Sequence, residues 1–203
     1  PATASGGIQT MELEEVWRIG GPDDEANLLG VIDKAQMDEH GNIYLLDIQL
    51  VEVQVFSPEG EYINTLGKQG EGPGEIRRAT DFVLLSDGTV GLVQGFPGKI
   101  VRVDREGLPE GMISPGGDDP TGGGFFALSR AASSSDKLVL SGTSISRGES
   151  SRTATNFIAT FTMDGTEGTR FLESSNTREF RTPEFSEKTE FFPHQGGWAL
   201  SND

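Results

Sequence analysis

The chain has 203 residues, no cysteine and a formal net charge of −16. The absence of cysteine excludes disulfides, thiolate nucleophiles and cysteine-ligated metal sites. The charge argues against binding to nucleic acid and against adsorption to an anionic lipid surface, because phosphate groups would repel the chain. It favours solubility and a protein partner that has a basic patch.

The first segments of the chain are predicted to lie outside any complete repeat. Residues 1–10 are small and polar, and we interpret them as a disordered lead or tether. They lack the organisation of a signal peptide, so we expect any export signal to be removed already and any lipid anchor to lie upstream of residue 1. Residues 12–19 are predicted to form an outermost strand, because Ile19-Gly20 matches Leu66-Gly67 at the end of a later strand. No window approaches the ~18 apolar residues of a membrane span.

Three pairs of turn glycines define a repeat. The two glycines of each pair are 47 positions apart. The pairs are Gly20 and Gly67, Gly41 and Gly88, and Gly60 and Gly107. A period of this length made of short strands is typical of β-propeller blades. The predicted fold is therefore all-β, a β-propeller of four-stranded antiparallel blades.

Each repeat is predicted to contain four strands joined by turns. Within the first unit, residues 32–66, the alternation Glu-Val-Gln-Val-Phe at 52–56 indicates a strand that is buried on one face. Pro58-Glu59-Gly60 then makes a tight turn, since proline presets φ and glycine accepts a positive φ. The second unit covers residues 80–114. The predicted strands of the two units are residues 34–38, 42–47, 52–56, 62–66, 81–85, 89–93, 99–104 and 111–114.

A third unit, residues 124–173, is longer than the other two. Its strands are predicted at residues 125–130, 137–143, 156–162 and 169–173, and the Ser/Arg-rich residues 144–155 are predicted to be an inserted loop. Residues 174–197 are interpreted as a long connection, and residues 198–203 as the start of another blade. The chain thus contains about three and a half blades. We expect the ring to be completed by more of the same polypeptide or by another chain, because bare blade faces and unpaired edges are unstable.

Three stretches of the first two units point to a known family. They read Gly-Asn-Ile-Tyr-Leu-Leu-Asp at 41–47, Val-Gln-Val-Phe-Ser-Pro-Glu-Gly at 53–60 and Thr-Leu-Gly-Lys-Gln-Gly-Glu-Gly-Pro-Gly-Glu-Ile at 65–76. Over residues 11–107 the chain resembles the bacterial six-bladed β-propeller family related to NHL repeats. The resemblance implies an exported protein, often a lipoprotein, whose ring is closed by an N-terminal strand, here residues 12–19. Six such units would need roughly 280 residues.

The antiparallel order places each connection at one of two ends of the blades. The turns between first and second strands, and between third and fourth strands, lie at one end, here named the turn face. The other connections lie at the opposite end, here named the link face. The link face receives every long segment: residues 67–79, 95–98, 115–124, 144–155 and 174–197. Length variation on one face is typical of a binding surface on a repeat scaffold.

The link face is therefore predicted to make the functional contacts. Aromatic and arginine side chains are the usual anchors of protein interfaces. On this face they are Arg77, Arg78, Phe96, Arg178, Phe180 and Arg181. We interpret the chain as a non-enzymatic protein-binding or scaffold propeller. It would be an extracytoplasmic, membrane-tethered accessory subunit of a membrane-associated complex.

Two other functions stay open, since a fold alone does not define a function. One is a metal-dependent, lactonase-like hydrolase or lyase with its site on the central channel, which a cation near Asp47 or Gln94 would favour. The other is a small-ligand or glycan sensor with an aromatic-lined funnel. No catalytic residue, metal ligand or cofactor is predicted. His40 and His194 lack metal-ligand spacing, and no Gly-x-Ser-x-Gly motif accompanies them.

Overall fold

The structure, a computed structural model, describes residues 10, 12–21, 28–115 and 124–179. These residues form three four-stranded antiparallel sheets, in which each strand pairs with the next one along the chain. The predicted all-β fold of four-stranded units is confirmed. The strands are β1 (Ile32–Met37), β2 (Ile43–Asp47), β3 (Glu52–Phe56) and β4 (Tyr62–Leu66) in the first sheet, β5 (Ala79–Leu84), β6 (Val90–Gln94), β7 (Lys99–Val103) and β8 (Pro109–Ile113) in the second, and β9 (Gly124–Ser134), β10 (Lys137–Arg147), β11 (Ser151–Thr162) and β12 (Glu167–Glu179) in the third. In the described ranges, no helix has the length and apolarity needed to cross a membrane.

Glycines end the tight turns of the turn face. The five glycines Gly41, Gly60, Gly88, Gly107 and Gly165 all have φ between 84° and 87°, a region that costs glycine nothing. Each donates its N–H to the carbonyl three residues earlier, as Gly60 does to Ser57 O at 2.9 Å. The turns predicted at these glycines are therefore confirmed.

Consecutive sheets pack face to face through two apolar clusters. Leu46 and Val53 of the first sheet share a core with Phe82 of the second. On the other side of the second sheet, Val93 shares a second apolar cluster with Leu140 of the third sheet. Burying one such side chain contributes about 1.5–3 kcal/mol. Apolar burial is therefore the main force that holds each sheet to the next.

The first strands of the three sheets, β1, β5 and β9, lie side by side. Asp81 on β5 is fully buried; its Oδ1 lies 2.8 Å from Lys34 Nζ on β1, and its Oδ2 accepts from Ala131 N on β9 at 2.7 Å. Arg130 on β9 reaches Asp33 on β1 with an N–O distance of 2.9 Å. Because β1 of the first sheet contacts β9 of the third, the strands β1, β5 and β9 must be arranged along a curve and not in a straight line. This is the arrangement of inner strands around a propeller axis.

A β-bulge occurs at the same place in each sheet. The pairing between first and second strands skips one residue of the first strand: Asp33 in β1, Thr80 in β5 and Ser129 in β9. Directly past the bulge, the second strands carry Asp47, Gln94 and Gly142, which are therefore structurally equivalent. Asp47 and Gln94 are also 47 positions apart in the sequence.

The predicted outermost strand over residues 12–19 is not formed with the described sheets: residues 12–20 are neither helix nor strand. Instead, Trp17 Nε1 donates to Pro58 O at 2.9 Å, and its ring lies 6.4 Å from that of Phe56. Leu13 and Val16 are largely exposed. A strand needs a paired edge, and none of the described strands pairs with this segment. The start of a blade predicted over 198–203 lies outside the described residues.

The third sheet also corrects the sequence analysis. The predicted loop over 144–155 is instead the end of β10, a short turn and the start of β11. Likewise, residues 174–179 of the predicted long connection belong to β12, and the rest of that connection lies outside the described residues. Thr and Ser side chains support these strands by pairing across them, as Thr153 and Thr177 do with an oxygen–oxygen distance of 2.8 Å.

Candidate functional site

At the link face of the second sheet, the side-chain amide of Gln94 holds two loops together. This side chain is buried at the end of β6. Its Oε1 accepts from Arg77 N at 3.2 Å, and its Nε2 donates to Pro97 O at 2.9 Å. One side chain thus binds the β4–β5 connection to the β6–β7 turn. Because of this, Arg77 and Phe96 lie on neighbouring loops of one rigid surface.

Asp47 likewise binds two connections to each other in the first sheet. Its carboxylate accepts the backbone N–H groups of Gly30, Val31, Gln49 and Leu50. Gly30 precedes Arg77 by 47 positions, so both residues anchor the chain where it enters a blade. Burial alone would raise the pKa of Asp47, but these four donors outweigh it and lower the pKa below its ordinary value of 3.8. We name Asp47 and Gln94 the latch residues.

The third sheet has no latch residue, because glycine occupies the equivalent position. A Cβ at Gly142 would lie 2.2 Å from Ala127 O on β9, so β9 takes the space that a side chain would fill. Without a side chain to bind a turn, β10 continues from Gly142 to Arg147. The third sheet therefore extends past the level at which β2 and β6 end.

Three arginines lie side by side at this extended end. Arg147 on β10 is directly opposite Arg152 on β11, and Arg152 is directly opposite Arg178 on β12. Residues opposite one another in an antiparallel pair point to the same side of the sheet. We name these three residues the arginine row. All three also have an interaction within the chain.

The loop surface around Arg77 is exposed and mixed in character. The Arg77 side chain is 59% exposed, and its Nε lies 2.7 Å from Glu71 Oε1. Arg78 is exposed as well, and Phe96 is 53% exposed. The β6–β7 turn is fixed on its other side by β9, since Gly98 N donates to Phe126 O at 2.7 Å and Leu128 N to Gly95 O at 2.8 Å. An exposed aromatic ring beside arginines on a fixed backbone has the composition of a protein-binding anchor.

The structure thus divides the predicted site residues into two groups. Arg77, Arg78 and Phe96 lie together on the loops of the second sheet, whereas Arg178 lies on the extended end of the third. Phe180 and Arg181 lie outside the described residues. Sequence reasoning missed Arg147 and Arg152, although the turn signal Gly-Glu-Ser between them and the strand preference of the flanking Thr residues could have indicated a hairpin.

The polar groups nearest the predicted channel are engaged in the fold. Asp47 and Gln94 bind backbone groups, as described above, and Asp81 accepts from Lys34, Phe82 N and Ala131 N. In the part of the chain that the structure describes, no group of three or more His, Cys, Asp or Glu residues is placed to hold a metal ion. The side chains of Asp47, Gln94 and Asp81 are therefore accounted for as structural contacts.

Comparisons with known proteins bear on the fold. A family model described as a 6-bladed beta-propeller matches residues 23–110, less than half of the chain. No curated protein matches the sequence. Among solved structures, the crystal structure of a Bacteroides fragilis protein assigned as exported is 9% identical, with a TM-score of 0.42 over 76% of this chain and 73% of that chain. The family match covers the first two sheets, and with the packing described above it identifies the sheets as blades of a β-propeller.

Proposed function

We propose that the chain is a non-enzymatic scaffold propeller with NHL-repeat-like blades, and that it binds a protein partner through the link face. The observation that supports this role is the surface formed by Arg77, Arg78 and Phe96. Gln94 and β9 hold its backbone in place, so little conformational entropy would be lost when a partner binds. Exposed aromatic and arginine side chains on a fixed backbone provide the desolvated contacts that dominate interface energies.

We further propose an extracytoplasmic, membrane-tethered location in which the chain serves as an accessory subunit of a membrane-associated complex. The net charge of −16 favours a partner whose surface is basic overall, because complementary potentials increase the association rate. The latch residues support a binding role over a catalytic one on the channel, since their polar atoms are already bound to backbone groups.

Photocrosslinking in the native host tests this proposal. A benzophenone amino acid is placed at Phe96 on the link face and, in a matched variant, at the exposed His40 on the turn face. We expect one protein to be crosslinked from Phe96 and not from His40, and to be identified by mass spectrometry. Changing Arg77 and Arg78 to Glu should reduce that crosslink roughly tenfold or more, because two anchor charges are reversed. Equal crosslinking from both faces, or a product unaffected by the charge reversal, would contradict the proposal.

A further inference from the structure

Most cationic side chains of this acidic protein have a partner within the chain. The sequence has 16 Lys and Arg residues against 32 Asp and Glu residues, and cations of all three sheets form ion pairs with acids. Of the cationic side chains that the structure describes, only those of Arg78, Lys99 and Lys137 have no hydrogen bond, ion pair or ring contact. Two of the three, Arg78 and Lys99, lie at the link end of the second sheet.

These two cations flank the latch residue Gln94. Ala79, the residue after Arg78, lies directly opposite Gln94. Gln94 in turn lies directly opposite Lys99. Gln94 Oε1 also accepts from Arg77 N at 3.2 Å, so the residues on both sides of Arg78 are fixed against Gln94. Because neighbouring strands are about 4.8 Å apart, the backbones that carry the two cations are about 10 Å apart.

The acidic side chains of the adjoining loops already have cationic partners. In the β4–β5 connection, Glu71 Oε1 lies 2.7 Å from Arg77 Nε, and Glu75 Oε1 lies 3.6 Å from Lys68 Nζ. The β6–β7 turn contains no acidic residue. The charge that remains available to a ligand from these two loops and the start of β7 is therefore positive.

We infer that Arg78 and Lys99 bind two acidic side chains of an extended segment of the protein partner, three residues apart in that segment. This inference rests on the proposed function and names the chemistry that the same surface recognises. An extended chain covers about 10 Å in three residues, which matches the separation of the two cations along the sheet. The guanidinium of Arg78 can bind one carboxylate in a bidentate geometry, and the ammonium of Lys99 can bind the other as a point charge.

The acidic pair must be a local feature of the partner. The net charge of −16 would repel a uniformly acidic protein. A partner whose surface is otherwise basic would still be attracted to the chain as a whole, and the two carboxylates would fix its position on the link face.

A binding measurement with two defined peptides tests the inference without the partner. The 203-residue chain is titrated at low ionic strength with the fluorescent, capped hexapeptide Thr-Glu-Thr-Thr-Glu-Thr, in which the two Glu residues are three positions apart. The comparison peptide, Thr-Thr-Glu-Glu-Thr-Thr, has the same composition and charge, but its Glu residues are adjacent. We expect the spaced peptide to bind about fivefold more tightly, because only this peptide reaches both cations while it is extended.

Three single variants with the same change in net charge identify the cations that bind. The test variants are Arg78→Gln and Lys99→Gln. The matched control is Lys137→Gln, since Lys137 also has no partner but lies beside the β9–β10 turn on the turn face. We expect each test variant to bind the spaced peptide about fivefold more weakly, and the control to bind it as the unchanged chain does. Arg78→Lys should retain part of the binding, because the charge stays without the planar fork.

Several results would overturn the inference. They are no measurable binding of the spaced peptide, equal binding of the two peptides, and an equal loss of binding in the Lys137 variant. Tighter binding of phosphatidylglycerol vesicles than of the spaced peptide, if it too depended on Arg78, would also overturn it. Absence of peptide binding together with the expected crosslink from Phe96 would overturn this inference alone, whereas absence of that crosslink would overturn the proposed function.

Discussion

At the scale of single residues, the two latch residues determine where the strands of the first two blades end. Asp47 and Gln94 differ in charge, yet each is buried at the end of a second strand and binds the backbone of two connections. Buried backbone groups without partners cost about 1–3 kcal/mol each, so a polar side chain at this position is strongly favoured. The sequence shows the period that relates them, but not that their side chains bind the loops.

The charge of Asp47 makes the stability of the first blade sensitive to acid. The pKa of Asp47 is lowered in the folded state. Its contribution to the free energy of unfolding is therefore fully present above the ordinary pKa, and is lost as the pH falls through the lowered folded pKa. Changing Asp47 to Asn should cost about 1–3 kcal/mol near neutral pH. The difference in the free energy of unfolding between this variant and the unchanged chain should shrink below a pH of about 4.

Urea denaturation of both proteins over a series of pH values measures this difference directly. Contributions from other carboxylates are common to the two proteins and cancel in the comparison. A gap that stays constant down to a pH of about 2 would show that the charge of Asp47 is not the source of the stabilisation.

At the scale of elements, Arg105 joins the first two blades at the turn face. From the β7–β8 turn it donates to Asp38 Oδ2 at 3.2 Å, to the Tyr44 hydroxyl oxygen and to Gly88 O at 2.6 Å. Its guanidinium carbon also lies 5.2 Å from the centre of the Tyr44 ring. Asp38 and Tyr44 belong to the first blade, so this side chain fixes the orientation of two neighbouring blades.

Removing that contact should weaken the protein more than removing an ion pair inside one blade. The side chain of Asp38 is 5% exposed, so changing Arg105 to Met should cost about 2 kcal/mol, because a buried carboxylate loses a partner. The matched change, Arg102 to Met, breaks a pair with the more exposed Asp87 and should cost less than about 1 kcal/mol. Chemical denaturation measures the free energy of unfolding of both variants. Equal losses for the Arg105 and Arg102 variants would contradict this ranking.

Sequence reasoning succeeded where local signals determine an element and failed where tertiary contacts do. The strand at 52–56 was predictable because apolar residues alternate and a Pro-Glu-Gly turn follows. The extended ends of β10 and β11 were harder to predict, since residues 144–155 have a turn signal but lack that alternation. Their support includes hydroxyl pairs to the next strand, β12, such as Thr155–Ser175 at 2.9 Å. Residues 12–19 have strand-like composition, but a strand also requires a partner edge.

At the scale of the whole molecule, the buried carboxylate of Asp81 joins three blades. Changing Asp81 to Leu would leave Lys34 Nζ with Phe82 O as its acceptor, at 2.7 Å, and would remove the acceptor of Ala131 N. We expect a loss of about 3–5 kcal/mol in the free energy of unfolding. Changing Lys34 to Met in the same protein should recover at least about 1 kcal/mol of the free energy of unfolding, because an uncompensated cation is removed from the interface.

A double-mutant cycle from urea denaturation measures this coupling. The two single variants and the double variant are compared with the unchanged chain under the same conditions. Strictly additive losses would mean that Asp81 and Lys34 act independently, contrary to their distance of 2.8 Å.

The glycine at position 142 has a consequence for how repeated units can diverge. In the third unit, Ala127 O lies 2.2 Å from where a Cβ at position 142 would stand. Replacing Gly142 with Asp or Gln would therefore meet a backbone clash. A single substitution cannot give this unit the side chain that binds the connections in the other two, because β9 would also have to shift.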